Sequence, residues 1–268
     1  MSARVGRERD INDVIEPNYA DFVSSLRGNR KLSDAVAAGT APVLYFETSR
    51  GCWWGQRSHC TFCGLNGLTM NYRTMDPALA RKQLETLFSY APWCTTYACT
   101  DNIMPRTCRS EVLAHLQPPA NSSIFFEVKV PVSERDLKIM ARSAVNRGQP
   151  GIESLATDTL TLMGEGTTSF QNIQFLKSCI RHDIEPVWNL LIGFRGEQEA
   201  VYRKYREGHS AAVSPAAAVG HLHGAVRPVQ PVPHQSRRVR LELEADGLLQ
   251  VDLSLRGRRD RELRVLFR

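Results

Sequence analysis

Between residues 43 and 194, five short apolar segments alternate with amphipathic helical segments, and this alternation restricts the fold more than any other feature of the chain. The apolar segments are PVLYF (42–46), TTYACT (95–100), IFFEVKV (124–130), QPGIE (149–153) and PVWNLLIGF (186–194). Helical patterns fill the gaps. Residues 76–90 open with Asp76 as N-cap and Pro77 as first helical residue, with Leu79, Leu84, Leu87 and Phe88 on one face. Residues 107–116 end before Pro118 and Pro119, and Ser133 with Asp136 forms a capping box before a helix to about residue 144. Residues 158–163 are closed by Gly164, and residues 169–182 carry Ile173, Leu176 and Ile180 in helical register. Strands alternating with helices of this length imply parallel strands joined by crossover helices. The predicted fold class is therefore α/β, a partial (β/α) TIM-like barrel of five or six parallel strands with its site at their carboxyl ends.

Composition removes several function classes. A chain of 268 residues with 42% hydrophobic and 23% charged residues can bury a sizeable core and is neither fibrous nor disordered. No apolar run reaches 18 residues, and the opening MSARVGRERDINDVIE lacks the apolar centre of a signal peptide, so a cytoplasmic protein with no membrane partner is predicted. The net charge of +6 comes with a late cluster of arginines, but acidic residues interleave with it and Phe267 is its one aromatic residue. That pattern is a solvated face, and no nucleic-acid partner is predicted. Seven cysteines in a reducing compartment do not suggest a disulfide framework, and Cys94, Cys99, Cys108 and Cys179 read as small buried hydrophobic residues.

Three regions follow from the pattern. Residues 1–41 read as a linker-like segment, 42–207 as the barrel core, and 208–268 as a divergent C-terminal segment. Residues 209–236 are rich in Ala, Val, Pro and His and show no strand or helix period, whereas 239–255 alternate about Asp246 and Gly247 as a β-hairpin does. The approach to QPGIE through Asn146, Arg147 and Gly148 is polar and predicts a weakened strand there.

The chemistry concentrates in one loop, FETSRGCWWGQRSHCTFCGLNG (46–67), which leaves the first strand and carries Cys52, Cys60 and Cys63. Three thiolates flanked by Gly51 and Gly64 fit a [4Fe-4S] cluster with one iron open for chelation. A zinc site is the rival, but Cys60-x-x-Cys63 is a single knuckle without a second pair. Unliganded cysteines are the third reading. If the barrel is correct, Asp101 and Asn102, Glu127 and Lys129, Glu153 and Ser154, and 189–193 meet this loop at one mouth. Trp53 and Trp54 are expected to pack the loop against the barrel. Glu127 and Lys129 share a strand face and are expected either to contact a ligand or to pair with each other.

At these residues the sequence resembles the radical S-adenosylmethionine (SAM) enzymes. The closer resemblance is to those that mature ribosomally made peptides and are related to cobalamin-dependent C-methyltransferases. The match runs over residues 16–205 and is carried by FETSRGCWWG, CTFCGLNG, TDNI (100–103), FFEVK (125–129), QPGIESL (149–155) and WNLLIGF (188–194). The long first spacing, residues 53–59 between Cys52 and Cys60, departs from the commonest triplet and is typical of this subgroup. The resemblance implies that Cys52, Cys60 and Cys63 ligate three irons and that SAM chelates the fourth. It implies Phe62 near the adenine and Asp101 with Asn102 near the SAM amino group. Glu127, Lys129, Glu153, Ser154 and Asn189 become candidates for its ribose or carboxylate. It further implies reductive SAM cleavage, hydrogen abstraction from a precursor peptide, and an electron donor such as a flavodoxin or ferredoxin. Methyltransferase relatives carry a cobalamin domain before the barrel; with about 42 residues before the first strand, none is expected here, and methyl transfer is the less supported part. A zinc-binding structural module and an inactive truncated radical SAM fold are the alternatives.

Overall fold

The structure is a computed structural model that describes residues 10–13, 16–65, 71–91 and 93–203, together with the backbone of strands 226–228, 238–243, 249–254 and 264–267. In chain order the elements are α1 (Ala20–Gly28), α2 (Arg30–Ala37), β1 (Val43–Phe46), β2 (Ser49–Arg50), α3 (Trp53–Arg57), β3 (Arg73–Thr74), α4 (Pro77–Phe88), β4 (Thr96–Cys99), β5 (Ser123–Val128), α5 (Glu134–Arg142), β6 (Arg147–Pro150), α6 (Thr157–Met163), α7 (Ser169–Arg181), β7 (Glu185–Pro186), β8 (Leu190–Ile192), β9 (Val226–Pro228), β10 (Arg238–Leu243), β11 (Leu249–Ser254) and β12 (Arg264–Phe267). Strands β1, β4, β5, β6 and β7 form one sheet in that order, every pair parallel. This is the α/β partial barrel that the alternation predicts.

Burial alternates along β5: Ile124, Phe126 and Val128 are buried, while Phe125, Glu127 and Lys129 lie between them on the other face. Phe126 meets Phe46 of β1 edge-to-face at 5.5 Å, and Phe88 of α4 meets Tyr97 of β4 at 5.2 Å. Leu84 and Leu87 of α4 and Leu137 and Met140 of α5 complete this layer. Two expected ends form as read: Asp76 accepts from the Ala78 N–H at 2.8 Å, and Gly164 closes α6 at φ 72°. The expected capping box at Ser133 is only half made: Ser133 accepts from the Asp136 N–H at 3.1 Å, while the Asp136 carboxylate turns to Arg109 at 3.3 Å.

Several details differ from the sequence reading. Residues 108–112 form one π-helical turn, wider than an α turn, and 113–115 a tighter 3-10 turn; Val112 and Leu113, where the two meet, are both buried. Strand β6 begins at Arg147, so the polar approach is itself the strand: Arg147 pairs with Phe125 and Gly148 with Phe126. The face of α7 is rotated. Asn172, Phe175 and Cys179 are buried, while Ile173 and Ile180 are 36% and 45% exposed. Leu79 of α4 is also exposed. The segment 186–194 is broken into β7 and β8. Strand β8 joins the mouth through a parallel bridge from Glu153 to Leu190 and pairs in parallel with β9, a strand the sequence did not announce. The pairing of β10 with β11 realises the hairpin, β12 extends it, and the expected Asp246–Gly247 turn lies outside the described residues.

Residues 16–41 of the linker-like N-terminal segment carry α1 and α2. Val23 and Leu26 of α1 are buried, and the Tyr19 hydroxyl donates to the Tyr45 carbonyl at 2.7 Å and accepts from its N–H at 3.1 Å. Gln83 does the same for Glu47, donating to its carbonyl at 3.1 Å and accepting from its N–H at 3.4 Å. Two side chains thus occupy backbone groups that the edge of β1 would otherwise leave unpaired.

Candidate active site

The site is anchored where β1 and β4 end. Asp101 follows β4, is 1% exposed, and takes four hydrogen bonds: from Thr48 N–H at 2.7 Å and Oγ1 at 2.5 Å, and from Ser49 N–H at 2.9 Å and Oγ at 2.9 Å. Burial pushes its carboxyl above the usual range, and the donors of Thr48 and Ser49 pull it back. Its carboxylate therefore fixes the start of the cysteine loop. Asn102, the other half of the predicted pair, lines a polar cleft of about 280 Å³ with Glu47, Arg50, Asn71 and Arg73.

From there the chain enters the loop. Cys52 caps the short helix α3, its Sγ accepting from the Gly55 N–H at 3.3 Å. The two tryptophans pack the loop down. Trp53 Nε1 donates to the Met104 carbonyl at 3.0 Å beneath the Arg106 guanidinium at 4.1 Å, and Trp54 Nε1 donates to the Gly164 carbonyl at 3.2 Å. The loop also meets the carboxyl end of α6. Thr61 donates from its N–H to Met163 O at 2.9 Å and from its hydroxyl to Leu162 O at 3.1 Å. Carbonyls at a helix end have no partners within the helix, and here the loop supplies them.

The mouth behind the loop is rich in charge. Lys129, at the end of β5, pairs with the Glu165 carboxylate and also donates to the Glu165 carbonyl at 2.7 Å; the two side chains are 10% and 4% exposed. The same ammonium lies 4.9 Å from the centre of the Trp54 ring. Lys129 thus pairs with Glu165 and not with its strand neighbour Glu127. Burial and the charge of Asp101 push the Glu127 carboxyl up to about 7. Burial and then Glu165 push Glu153 up to about 8, against the opposing pull of Lys129. Glu153 sits at φ 55°, a left-handed turn that aims the chain from β6 toward β8.

Glu165 is the residue that the sequence reading missed. Its only signal there is its place between two glycines in GEG (164–166). It lies against Cys60, whose thiol is raised first by burial and then by this carboxylate. Cys63 is raised by burial and feels both Cys52 and Glu165, and Cys60 feels Cys63, so the three thiols share one electrostatic environment. Among the described residues no three His, Cys, Asp or Glu side chains converge tightly enough to hold a single metal ion. A cluster makes a different demand, because its cysteines ligate separate irons. Three half-buried thiols on one loop, with Glu153 and Glu165 nearby, suit a soft polynuclear cation that would draw off the thiol protons. Of the remaining predicted residues, Phe62 is half-buried on the loop, and the Ser154 hydroxyl accepts from the Ala156 N–H at 3.1 Å. Asn189 is half-buried immediately before β8. The other four cysteines are buried, as expected.

The raised Glu153 carboxyl has a measurable consequence. Its folded-state value of about 8 lies above the unfolded value of about 4.3, so between these limits the folded state retains a proton the unfolded state has lost. Stability therefore falls as pH rises through this window. Metal-free Glu153→Gln protein is expected to match wild type near pH 4 and to exceed it by about 2 kcal/mol at pH 9, measured by denaturant unfolding. Equal pH slopes would refute the assignment.

No family model matches the chain, and no curated protein does. Solved structures do. The structure of the radical SAM methyltransferase TsrM from Kitasatospora setae with cobalamin and a [4Fe-4S] cluster bound superposes with a TM-score of 0.54 at 15% identity, covering 74% of this chain and 37% of that one. TsrM with tryptophan substrate and a SAM analogue gives 0.51 at 16% identity, over 63% and 34%. The cobalamin-dependent radical SAM enzyme OxsB gives 0.49 at 19% identity, over 61% and 26%. The chain thus spans about a quarter to just over a third of these proteins' lengths, and it shares the fold of TsrM.

Proposed function

We propose that this chain, with its radical SAM fold, binds a [4Fe-4S] cluster through Cys52, Cys60 and Cys63 and cleaves SAM reductively to modify a ribosomally made peptide, with C-methylation as the finer form of the reading. The observation that carries it is the three-thiol loop at the carboxyl ends of parallel strands, where Glu127, Lys129, Glu153 and Glu165 gather. Such a cluster, when bound, supplies one-electron chemistry at a potential set by its surroundings. The protein's own part is binding, orientation and exclusion of water. Asn102 faces the cleft beside the loop, and Glu127 and Glu153 offer carboxyl groups that retain protons near neutrality to the ribose and amino groups of SAM. Ser154 and Asn189 border the same mouth, and Phe62 stands on the loop for the adenine. The peptide substrate and a flavodoxin or ferredoxin donor are supported by the sequence motifs, and methyl transfer by the likeness to TsrM; cobalamin use is left to experiment.

The test is anaerobic reconstitution followed by reduction with dithionite in the presence of SAM. Release of 5′-deoxyadenosine and methionine is the expected result. A chain that holds about four irons but releases neither is an inactive fold of this type, and a colourless chain that holds zinc is a structural module.

A further inference from the structure

We infer that residues 162–166, at the end of α6, are the positioning element of the three-cysteine loop, and that Glu165 and Gly166 are its positioning residues; the inference rests on reading that loop as the cluster loop. A loop whose regular structure is the five-residue α3 has little intrinsic reason to keep one shape. Its shape comes from what it touches. Leu162 and Met163 accept from Thr61, and Gly164 accepts from the Trp54 indole. A Cβ on Gly164 would stand 3.3 Å from the His59 carbonyl and 3.9 Å from Cys60 Cα, so this glycine sits directly against the backbone that leads into Cys60.

Gly166 decides how close the loop can come. A Cβ there would fall 2.4 Å from two atoms of the Trp54 ring, and φ is +68°, so only glycine admits the indole in this place. Glu165 lies between these glycines and ties the arrangement to the sheet. Its carbonyl and carboxylate both accept from Lys129, whose ammonium lies over the Trp54 ring. One desolvated lysine at the end of β5 thereby connects the barrel, the 162–166 segment and the loop. The backbone on either side of Cys60 is thereby held before any metal arrives, which lowers the ordering cost of binding.

The test uses the full chain. In metal-free Gly166→Ala protein, hydrogen exchange of residues 53–63 is expected to rise about tenfold while β4 and β5 exchange as in wild type. Unchanged exchange over 53–63 would overturn the inference. If Gly166→Ala fails to fold, Glu165→Ala is expected to show the same localised rise, and no rise overturns it equally. Reconstituted and reduced Glu165→Ala, at wild-type iron content, is expected to show shifted electron paramagnetic resonance g values; an identical spectrum removes Glu165 from the role. Wild-type iron content separates the two claims. Four irons with unmoved variant loops defeat the positioning role alone. No iron with a freed variant loop defeats the cluster reading and leaves the positioning of the loop standing.

Discussion

Cys60→Ala protein, purified anaerobically and reconstituted with iron and sulfide, is expected to fall from about four irons per chain to below about one and to lose its broad absorption near about 400 nm. The expectation follows from the loop's geometry. Cys60 lies against the α6 end, its Cα 3.9 Å from where a Gly164 Cβ would stand and its thiol against Glu165. Removing Cys60 leaves two thiols and a hard carboxylate oxygen, a poor donor set for iron–sulfur chemistry. Cys179→Ala is the control: that thiol is buried in α7, and its loss should leave the iron count unchanged. Full iron in Cys60→Ala protein would sink the cluster assignment.

Asp101→Ala is expected to cost about 3 kcal/mol of folding stability in denaturant unfolding, the largest effect foreseen for a residue that ligates nothing. The alanine would leave the Thr48 and Ser49 N–H groups buried without acceptors, at about 1–3 kcal/mol each. The two hydroxyls suffer less, because Ser49 Oγ also reaches the Ile103 carbonyl at 3.3 Å and Thr48 Oγ1 can turn. Burial disfavours the Asp101 charge, so its removal returns part of the loss. A change below about 0.5 kcal/mol would show that the carboxylate does not hold the β1 end.

The relation between sequence and structure differs from residue to residue. The caps at Asp76, Ser133 and Gly164 were legible because each depends on its own neighbours. The three cysteines stood out as candidates in the sequence because thiols grouped on one loop after a strand have few uses. The partner of Lys129 was not. Two residues apart on one strand, Glu127 and Lys129 share a face, but Glu165 arrives from a segment 36 residues away and satisfies the lysine with both carbonyl and carboxylate. The buried face of α7 was misread for a similar reason. Ile173, Leu176 and Ile180 fit a helical period, yet Asn172 turns inward and donates to the Ile152 and Ser154 carbonyls at 2.9 Å each, and that polar anchor sets the rotation of the helix.

By itself, then, the sequence determined the parallel α/β architecture, through the alternation of strand and helix periods, and it singled out three thiols and the strand-end acids as the candidate site. Local patterning is enough for both, since the choice of strand, helix or turn depends on near neighbours. Tertiary structure alone decided that Asp101 braces the loop, that Glu165 pairs with Lys129, that Gly166 admits Trp54, and that β9 pairs with β8. These depend on which distant groups meet once water is excluded, where an unpaired charge or backbone group is costly and a single methyl group can bar an indole.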